Sequence, residues 1–280
     1  MTPAAAPGRT DRPGHNLEDA MSTPAPDQPP AAAIDHLRQE ALRFAEVAAR
    51  SPLPAHVPAY PAFTVETLTA HIGRVLRSFP AILAPGTGTG PQEAPAGPAV
   101  IEWAADGLEP LLTLLSETPP DKPVTFPHGR GERPAGQVAP LVAVEVGVHR
   151  WDLETVLGEH APVPPDLAAS EIDSVFENFA PRLAGSGVAP IGGPLHLRAT
   201  DIEAGWTVTV SDGALQAGRS PAGEDAAGTV VSGPAADLAL IVWKRLPPAL
   251  SAITVSGPAE VLTRFLGTGY IPDPRTTPAH

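Results

Sequence analysis

The chain has no cysteine among its 280 residues. Disulfides, zinc–thiolate sites and a cysteine nucleophile are therefore excluded, and any thiol chemistry requires a thiol from outside the protein. Lysine is almost absent too, because Lys122 and Lys244 are its only occurrences. The net charge is −13 and no basic stripe is present, so we expect neither a nucleic acid nor an anionic membrane surface as a partner.

The sequence also lacks a run of about 18 apolar residues, the length that a membrane-spanning helix needs. Its first residues do not combine a positive charge with a following apolar stretch, so they differ from a secretory signal. A cytoplasmic protein is therefore predicted. Since 42% of the residues are hydrophobic, the chain has enough apolar material for two small domains. No feature demands a partner subunit, and we expect a monomer.

The N-terminal half is predicted to be a helical bundle that follows a disordered tail. Residues 1–30 are rich in proline, alanine, aspartate and threonine and lack periodicity, which is typical of disorder. Residues 31–160 carry apolar side chains at helical spacing between irregular loops, and this pattern favours a four-helix bundle. The glycine-rich run over residues 86–90 follows no strand and is interpreted as a loop. The predicted helices cover residues 34–50, 64–79, 99–116 and 137–158.

The C-terminal half changes to the two-residue period of β-strands. A helix predicted over residues 166–183 opens it, and Asp212-Gly213 is a hairpin signal. Residues 165–270 are therefore predicted to form a small α+β domain, followed by a loose tail over 271–280, and the fold class is α+β with two domains. The remaining predicted strands and helices cover residues 195–200, 206–210, 229–232, 253–256, 234–243 and 258–266.

Two of the predicted bundle helices carry side chains that suit a metal ion. His71 lies on or beside the apolar stripe of one helix. Glu145, His149 and Asp152 share a face of another, at spacings of four and three. A carboxylate on an inward face is costly unless something pairs with it, and a bound cation would do so.

Two imidazoles and one carboxylate suit zinc, with iron, manganese, nickel and cobalt as alternatives. Three protein ligands, His71, Glu145 and His149, would leave a coordination position open for water or substrate, which is the catalytic pattern. Asp152 is predicted to orient the His149 imidazole, and the i,i+3 spacing leaves a position beside the metal as the alternative. The alternative is that both histidines are ordinary core residues, because Glu-x-x-x-His occurs by chance in many helices.

Three segments resemble the mycothiol-dependent maleylpyruvate isomerase family. Residues 57–71 are similar to the family's entry into its second helix, which ends in a metal-ligand histidine. Glu145-Val-Gly-Val-His149-Arg-Trp-Asp152 is similar to its E-x-x-x-H-x-x-D segment. Residues 197–201 and 231–245 resemble its C-terminal strand and the helix that ends in W-x-R. The resemblance covers residues 34–268.

The resemblance implies a fold and a chemistry. The fold is a DinB-like metal-binding bundle with a small, sterol-carrier-like C-terminal domain, and His71, Glu145 and His149 are the metal ligands. Mycothiol is the implied cofactor, and its thiolate on the metal would add to a small electrophilic metabolite. Addition to a cis-enoyl acid, rotation and elimination give an isomerase, whereas release of the adduct gives an S-transferase. Arg245 is implied to face the metal cleft, where its guanidinium fork would bind a carboxylate of the substrate or thiol.

This sequence departs from the family pattern at the pocket walls. Phe63 stands where the family usually has tryptophan, and Tyr60 stands where it usually has a small residue or cysteine. The segment before Glu145 lacks an arginine pair that is often present there. Phe126 and His128 are candidates for the entrance. Two other classes stay open, namely a non-catalytic metal- or ligand-binding protein and a hydrolase that uses metal-bound water.

Overall fold

The computed structural model describes residues 30–86, 92–126, 131–220 and 227–271. The two predicted tails lie almost entirely outside these ranges, as does most of the glycine-rich run over residues 86–90. His128, a candidate for the entrance, also lies outside them.

The first domain is helical. Its apolar side chains meet in one core, to which α1, α2, α4 and α5 all contribute. α1 packs along much of the length of α5, and α2 packs against α3, α4 and α5. The helices are α1 (Pro30–Arg50), α2 (Val65–Leu83), α3 (Ala99–Ala105), α4 (Leu108–Glu117) and α5 (Val138–Glu154).

The prediction of one continuous helix over residues 99–116 is wrong, because the chain forms two helices, α3 and α4, with a break at Asp106 and Gly107. Glycine weakens a helix interior. It also permits a close approach here, since a Cβ at Gly107 would lie 3.1 Å from the Leu76 Cβ. The chain at this break therefore packs closely against α2.

The start of α2 follows the sequence closely. Thr64 is its N-cap, and a capping box joins Thr64 to Thr67. Glu66 lies in the first turn, where a negative charge is favourable. One face of the helix then buries Leu68, Ile72, Leu76 and Phe79.

Two short hairpins interrupt the helical domain where only loops were predicted. One pairs β1 (His56–Val57) with β2 (Tyr60–Thr64) and leads directly into α2. The other pairs β3 (Pro123–Thr125) with β4 (Glu132–Pro134). Strands this short and rich in proline carry no readable two-residue period.

The second domain packs helices on a mixed sheet, so the α+β class and the two-domain organisation are confirmed. Its described strands run in the order β7-β6-β5-β8-β9, and β5 pairs with β8 in parallel while the other neighbours are antiparallel. The elements are α6 (Pro165–Asn178), β5 (Leu195–Ala199), β6 (Gly205–Ser211), β7 (Ala214–Arg219), β8 (Thr229–Gly233), α7 (Ala235–Val242), β9 (Thr254–Ser256) and α8 (Glu260–Leu266).

The hairpin between β6 and β7 turns at Asp212 and Gly213, as predicted. Both residues have positive φ, 51° and 74°, which is the conformation that a tight two-residue hairpin turn requires. The predicted helix over 166–183 ends early, at Asn178, and a 3₁₀ turn covers Ala180–Leu183.

The two domains meet where α6 packs against α5. The Trp243 indole N–H, just after α7, donates to the backbone oxygen of Glu171 on α6 at 3.0 Å. This contact ties the chain that follows α7 to α6, the helix that packs against α5. Within the described ranges, no helix is both long and apolar enough to cross a membrane.

Candidate metal centre

The residues predicted to bind a metal come together between α2 and α5. His71 lies on α2, and Glu145 and His149 lie one turn apart on α5. One ligand atom from each of the three lies within 4.8 Å of the others. Two donors that are each about 2.1 Å from zinc lie about 3–4 Å apart, and both separations from the Glu145 carboxylate fall in that range.

The distances show one carboxylate shared by two imidazoles. Glu145 Oε1 lies 3.1 Å from His71 Nε2 and 3.6 Å from His149 Nε2. The rings of His71 and His149 are nearly perpendicular, with centroids 5.1 Å apart. Both Nε2 atoms therefore point at the same small volume. The side chains of His71 and Glu145 are about one-third exposed, at 31% and 32%, so the centre is open to solvent on one side.

Asp152 fixes the tautomer of His149. Its Oδ2 lies 3.0 Å from His149 Nδ1, and its side chain is fully buried. An ionised carboxylate only accepts hydrogen bonds, so the proton sits on Nδ1 and the Nε2 lone pair of neutral His149 is free for a metal. The interaction predicted from the i,i+3 spacing is thus present in the structure.

The charged groups of the cluster stabilise one another's ionised forms. Burial alone would lower the pKa of His149, but hydrogen bonds to Asp152 and Glu145 raise it to about 9. Burial would raise the pKa of Glu145, yet its hydrogen bonds to His149 and His71 hold that pKa well below the usual range. Without a metal, a proton on His149 supplies the positive charge that the carboxylates need.

Arg245 reaches this cluster from the second domain. Burial would raise the pKa of Asp152, but the Arg245 charge and the hydrogen bonds from His149 and Arg245 lower it. Arg245 Nε donates to Asp152 Oδ1 at 2.8 Å, and Nη2 donates to Oδ2 at 2.9 Å. Its Nη1 donates to the Trp243 backbone oxygen at 3.0 Å, and its side chain is 5% exposed. The fork is therefore engaged with a protein carboxylate, and the carboxylate-binding role predicted for Arg245 stays a prediction.

An aromatic pair on β2 covers the three candidate ligands. Tyr60 and Phe63 meet edge to face, with centroids 4.9 Å apart. Phe63 lies 5.7 Å from the His71 ring and 6.0 Å from the His149 ring. Tyr60 stacks at 6.3 Å on His149, and the guanidinium carbon of Arg245 lies 5.1 Å from its ring centre. The unpredicted hairpin β1–β2 thus forms one wall of the site.

The opposite face of α5 carries a buried ionic network that the sequence reading missed. Arg150 donates to Glu40 on α1 and, at 2.7 Å, to Glu154. Arg43 on α1 donates to Glu154 at 3.2 Å. The available sequence signal was the i,i+4 spacing of Arg150 and Glu154 on a helix whose two faces both carry charges.

Glu171 on α6 lies beside this network. A Cβ at Gly147 would lie 3.2 Å from Glu171 Oε1, so glycine lets that carboxyl pack closely against α5. Burial, together with the Glu40 charge, raises the pKa of Glu171 to about 8 despite nearby Arg150. The raised pKa favours the protonated form of Glu171, which reduces the charge buried between α5 and α6.

Other candidates lie away from the cluster. Phe126 is 3% exposed and belongs to the apolar core, and its role at an entrance stays a prediction. A cavity of about 480 Å³ lies at the far end of the bundle, between the start of α1 and the ends of α2 and α4. It does not touch His71, Glu145 or His149 and is unrelated to their chemistry.

Two consecutive segments of the chain match the sequence patterns of known domain families. Residues 51–154 match "Mycothiol maleylpyruvate isomerase N-terminal domain", and residues 166–264 match "MDMPI C-terminal domain". The first match contains His71, Glu145, His149 and Asp152, and the second contains Arg245. A search of curated proteins finds no match.

Solved structures agree on the fold. A crystal structure of the mycothiol-dependent maleylpyruvate isomerase matches at a TM-score of 0.55 and 17% identity, covering 82% of this chain and 94% of that one. A crystal structure of a histidine-to-alanine mutant of that isomerase matches with the same values. At this identity the likeness supports the arrangement of both domains.

Proposed function

Because this chain belongs to the mycothiol-dependent maleylpyruvate isomerase family, we propose that it is a metal- and mycothiol-dependent enzyme that acts on a small electrophilic metabolite. The observation that carries the metal part is the convergence of His71, Glu145 and His149 on one point. We propose zinc as the ion, since two imidazoles and a carboxylate form a donor set that zinc accepts.

The residues around the centre are suited to a catalytic rather than a purely structural site. Three protein ligands leave a position for an exogenous group, and the partial exposure of His71 and Glu145 gives that position access to solvent. A bound divalent ion supplies positive charge that favours the ionised form of a thiol. Since the chain has no cysteine, that thiol comes from outside the protein.

Asp152 and Arg245 have complementary tasks in this proposal. Asp152 holds the Nδ1 proton of His149, so that Nε2 keeps facing the centre. Arg245 holds Asp152 ionised and in position through two hydrogen bonds. A carboxylate acceptor also makes the imidazole a better electron donor. We propose isomerisation as the reaction, in keeping with the family.

Metal content measured by mass spectrometry is the first test. We expect about one zinc per chain in the wild type and a loss of that metal in His149→Ala. His196→Ala is the matched control, because His196 lies on β5 and hydrogen-bonds Thr207. Absence of stoichiometric metal in the zinc-supplied wild type would refute the metal-dependent proposal.

Turnover then separates the remaining classes. Zinc-loaded protein is incubated with maleylpyruvate, with and without mycothiol. Isomerised product that requires mycothiol is the expected result. A stable thiol adduct would assign a transferase, turnover without thiol would assign a hydrolase, and metal binding without any reaction would favour a binding protein.

A further inference from the structure

Tyr60, like Asp152, contacts both a candidate metal ligand, His149, and Arg245 from the second domain. Its ring stacks on His149 and lies 5.1 Å from the Arg245 guanidinium carbon. Besides burial, the charges of Arg245, Asp152 and Glu145 act on its phenol group and affect its pKa. Tyr60 therefore lies over the site and does not merely border it.

The Tyr60 hydroxyl has no hydrogen-bond partner among the described residues, although the side chain is partly buried. The other tyrosine, Tyr270, shows the usual arrangement, because its buried hydroxyl donates to the Val242 backbone oxygen at 2.6 Å. The Tyr60 hydroxyl is not one of the buried side-chain atoms that lack a partner, so it is accessible to solvent. Its donor is therefore available to a group that enters the site from solvent.

The surroundings indicate what kind of group that is. The ring is held on three sides by Phe63, His149 and Arg245, so its position is well defined. Arg245 already uses its fork on Asp152, which leaves Tyr60, stacked on the candidate ligand His149, as a further donor at the site. An O–H donor at such a place suits an oxygen acceptor that carries full or developing negative charge.

We propose that the Tyr60 hydroxyl donates a hydrogen bond to a carbonyl or carboxylate oxygen of the electrophile that reacts at the metal centre. This inference rests on the proposed function for the identity of the reaction. It gives Tyr60 a substrate contact, a role that the family resemblance implied for Arg245 toward a carboxylate of the substrate or thiol. The ring of Phe63 supplies an apolar surface beside that oxygen but no donor.

Tyr60→Phe tests this assignment, because it removes the hydroxyl and keeps the ring. We expect unchanged zinc content and thermal midpoint, with kcat/KM reduced roughly 10- to 100-fold, the range for a hydrogen bond to a charged group. Tyr270→Phe is the matched control. It should lower the thermal midpoint, because the Val242 oxygen loses its donor, and leave kcat/KM within about twofold.

Binding of maleate, a small unsaturated dicarboxylate, supplies a readout that needs no turnover. Calorimetry on zinc-loaded protein should show maleate bound about tenfold more weakly by Tyr60→Phe than by the wild type. If the wild type lacks turnover but this difference appears, the proposed function fails and the Tyr60 inference stands. If Tyr60→Phe matches the wild type in maleate affinity and in kcat/KM, the ring acts only as packing and the inference is overturned.

Discussion

Replacing Asp152 with asparagine should weaken metal binding and destabilise the contact between the two domains. Asp152 is fully buried and accepts from three nitrogens, two of Arg245 and one of His149, at 2.8 to 3.0 Å. The asparagine amide group has one acceptor oxygen and would place N–H donors against N–H donors. One buried cation would then lack its full counter-charge.

The size of both effects follows from that geometry. Removing one partner of a buried ion pair costs about 3–5 kcal/mol. A loss of about 3 kcal/mol corresponds to a fall of roughly 6–12 °C in the thermal midpoint of a protein this size. Loss of the acceptor behind a metal-bound histidine typically costs about 10- to 100-fold in metal affinity.

Zinc affinity and thermal unfolding of Asp152→Asn measure the two effects separately. Asp173→Asn is the matched control, because Asp173 accepts a similar fork from Arg219 inside the second domain. We expect the control to lose stability but to keep its zinc affinity. The reasoning would be refuted by an Asp152→Asn protein that binds zinc as tightly as the wild type, or by a control that loses zinc equally.

Three further predictions concern protonation and the arginine fork. Zinc affinity, measured against a competing chelator, should rise roughly tenfold per pH unit up to about pH 9, since the proton on His149 competes with the metal until its pKa is passed; an affinity that is flat from pH 6 to 8 would contradict this. The raised pKa of Glu171, about 8, means that its contribution to stability is complete below pH 4.5 and is lost as pH rises through 8. The Glu171→Gln side chain cannot ionise. Its free energy of unfolding in urea, taken relative to that of the wild type, should therefore increase as the pH rises from 5 to 9. A difference that stays constant over this range would refute the assignment. Arg245→Lys should reduce zinc affinity if Arg245 acts through Asp152, whereas a raised KM with unchanged zinc affinity would assign it to the substrate instead.

The parts of the fold that the sequence predicted well are those that depend on local signals. The start of α2 is specified by Thr64 and Thr67, and the β6–β7 turn by Asp212 and Gly213. The break between α3 and α4 depends instead on how closely Gly107 approaches Leu76 on α2. No pattern within the segment itself reports such a tertiary contact.

The residues of the candidate site also differ in whether local sequence signals or tertiary contacts determine their positions. Glu145, His149 and Asp152 lie on one helix, so their spacing alone places them on a common face. The approach of His71 needed either the packing of α2 on α5 or a family resemblance. The position of Tyr60 over His149 depends on a two-strand hairpin that has no periodic signal, and the pairing of Arg245 with Asp152 joins residues 93 positions apart.

α5 explains why these separate contacts act on the same centre. One of its faces carries the two ligands and Asp152, and another carries Gly147 and Arg150, which meet Glu171 and Glu40. Apolar packing tolerates small shifts of a helix along its axis, whereas hydrogen bonds at about 3 Å do not. With polar contacts on both faces, α5 can neither rotate nor slide without leaving a buried charge unpaired, which is costly. We infer that this double constraint sets the distance between Glu145 and His149 and the facing His71, and that the second domain contributes to the metal centre mainly by maintaining it.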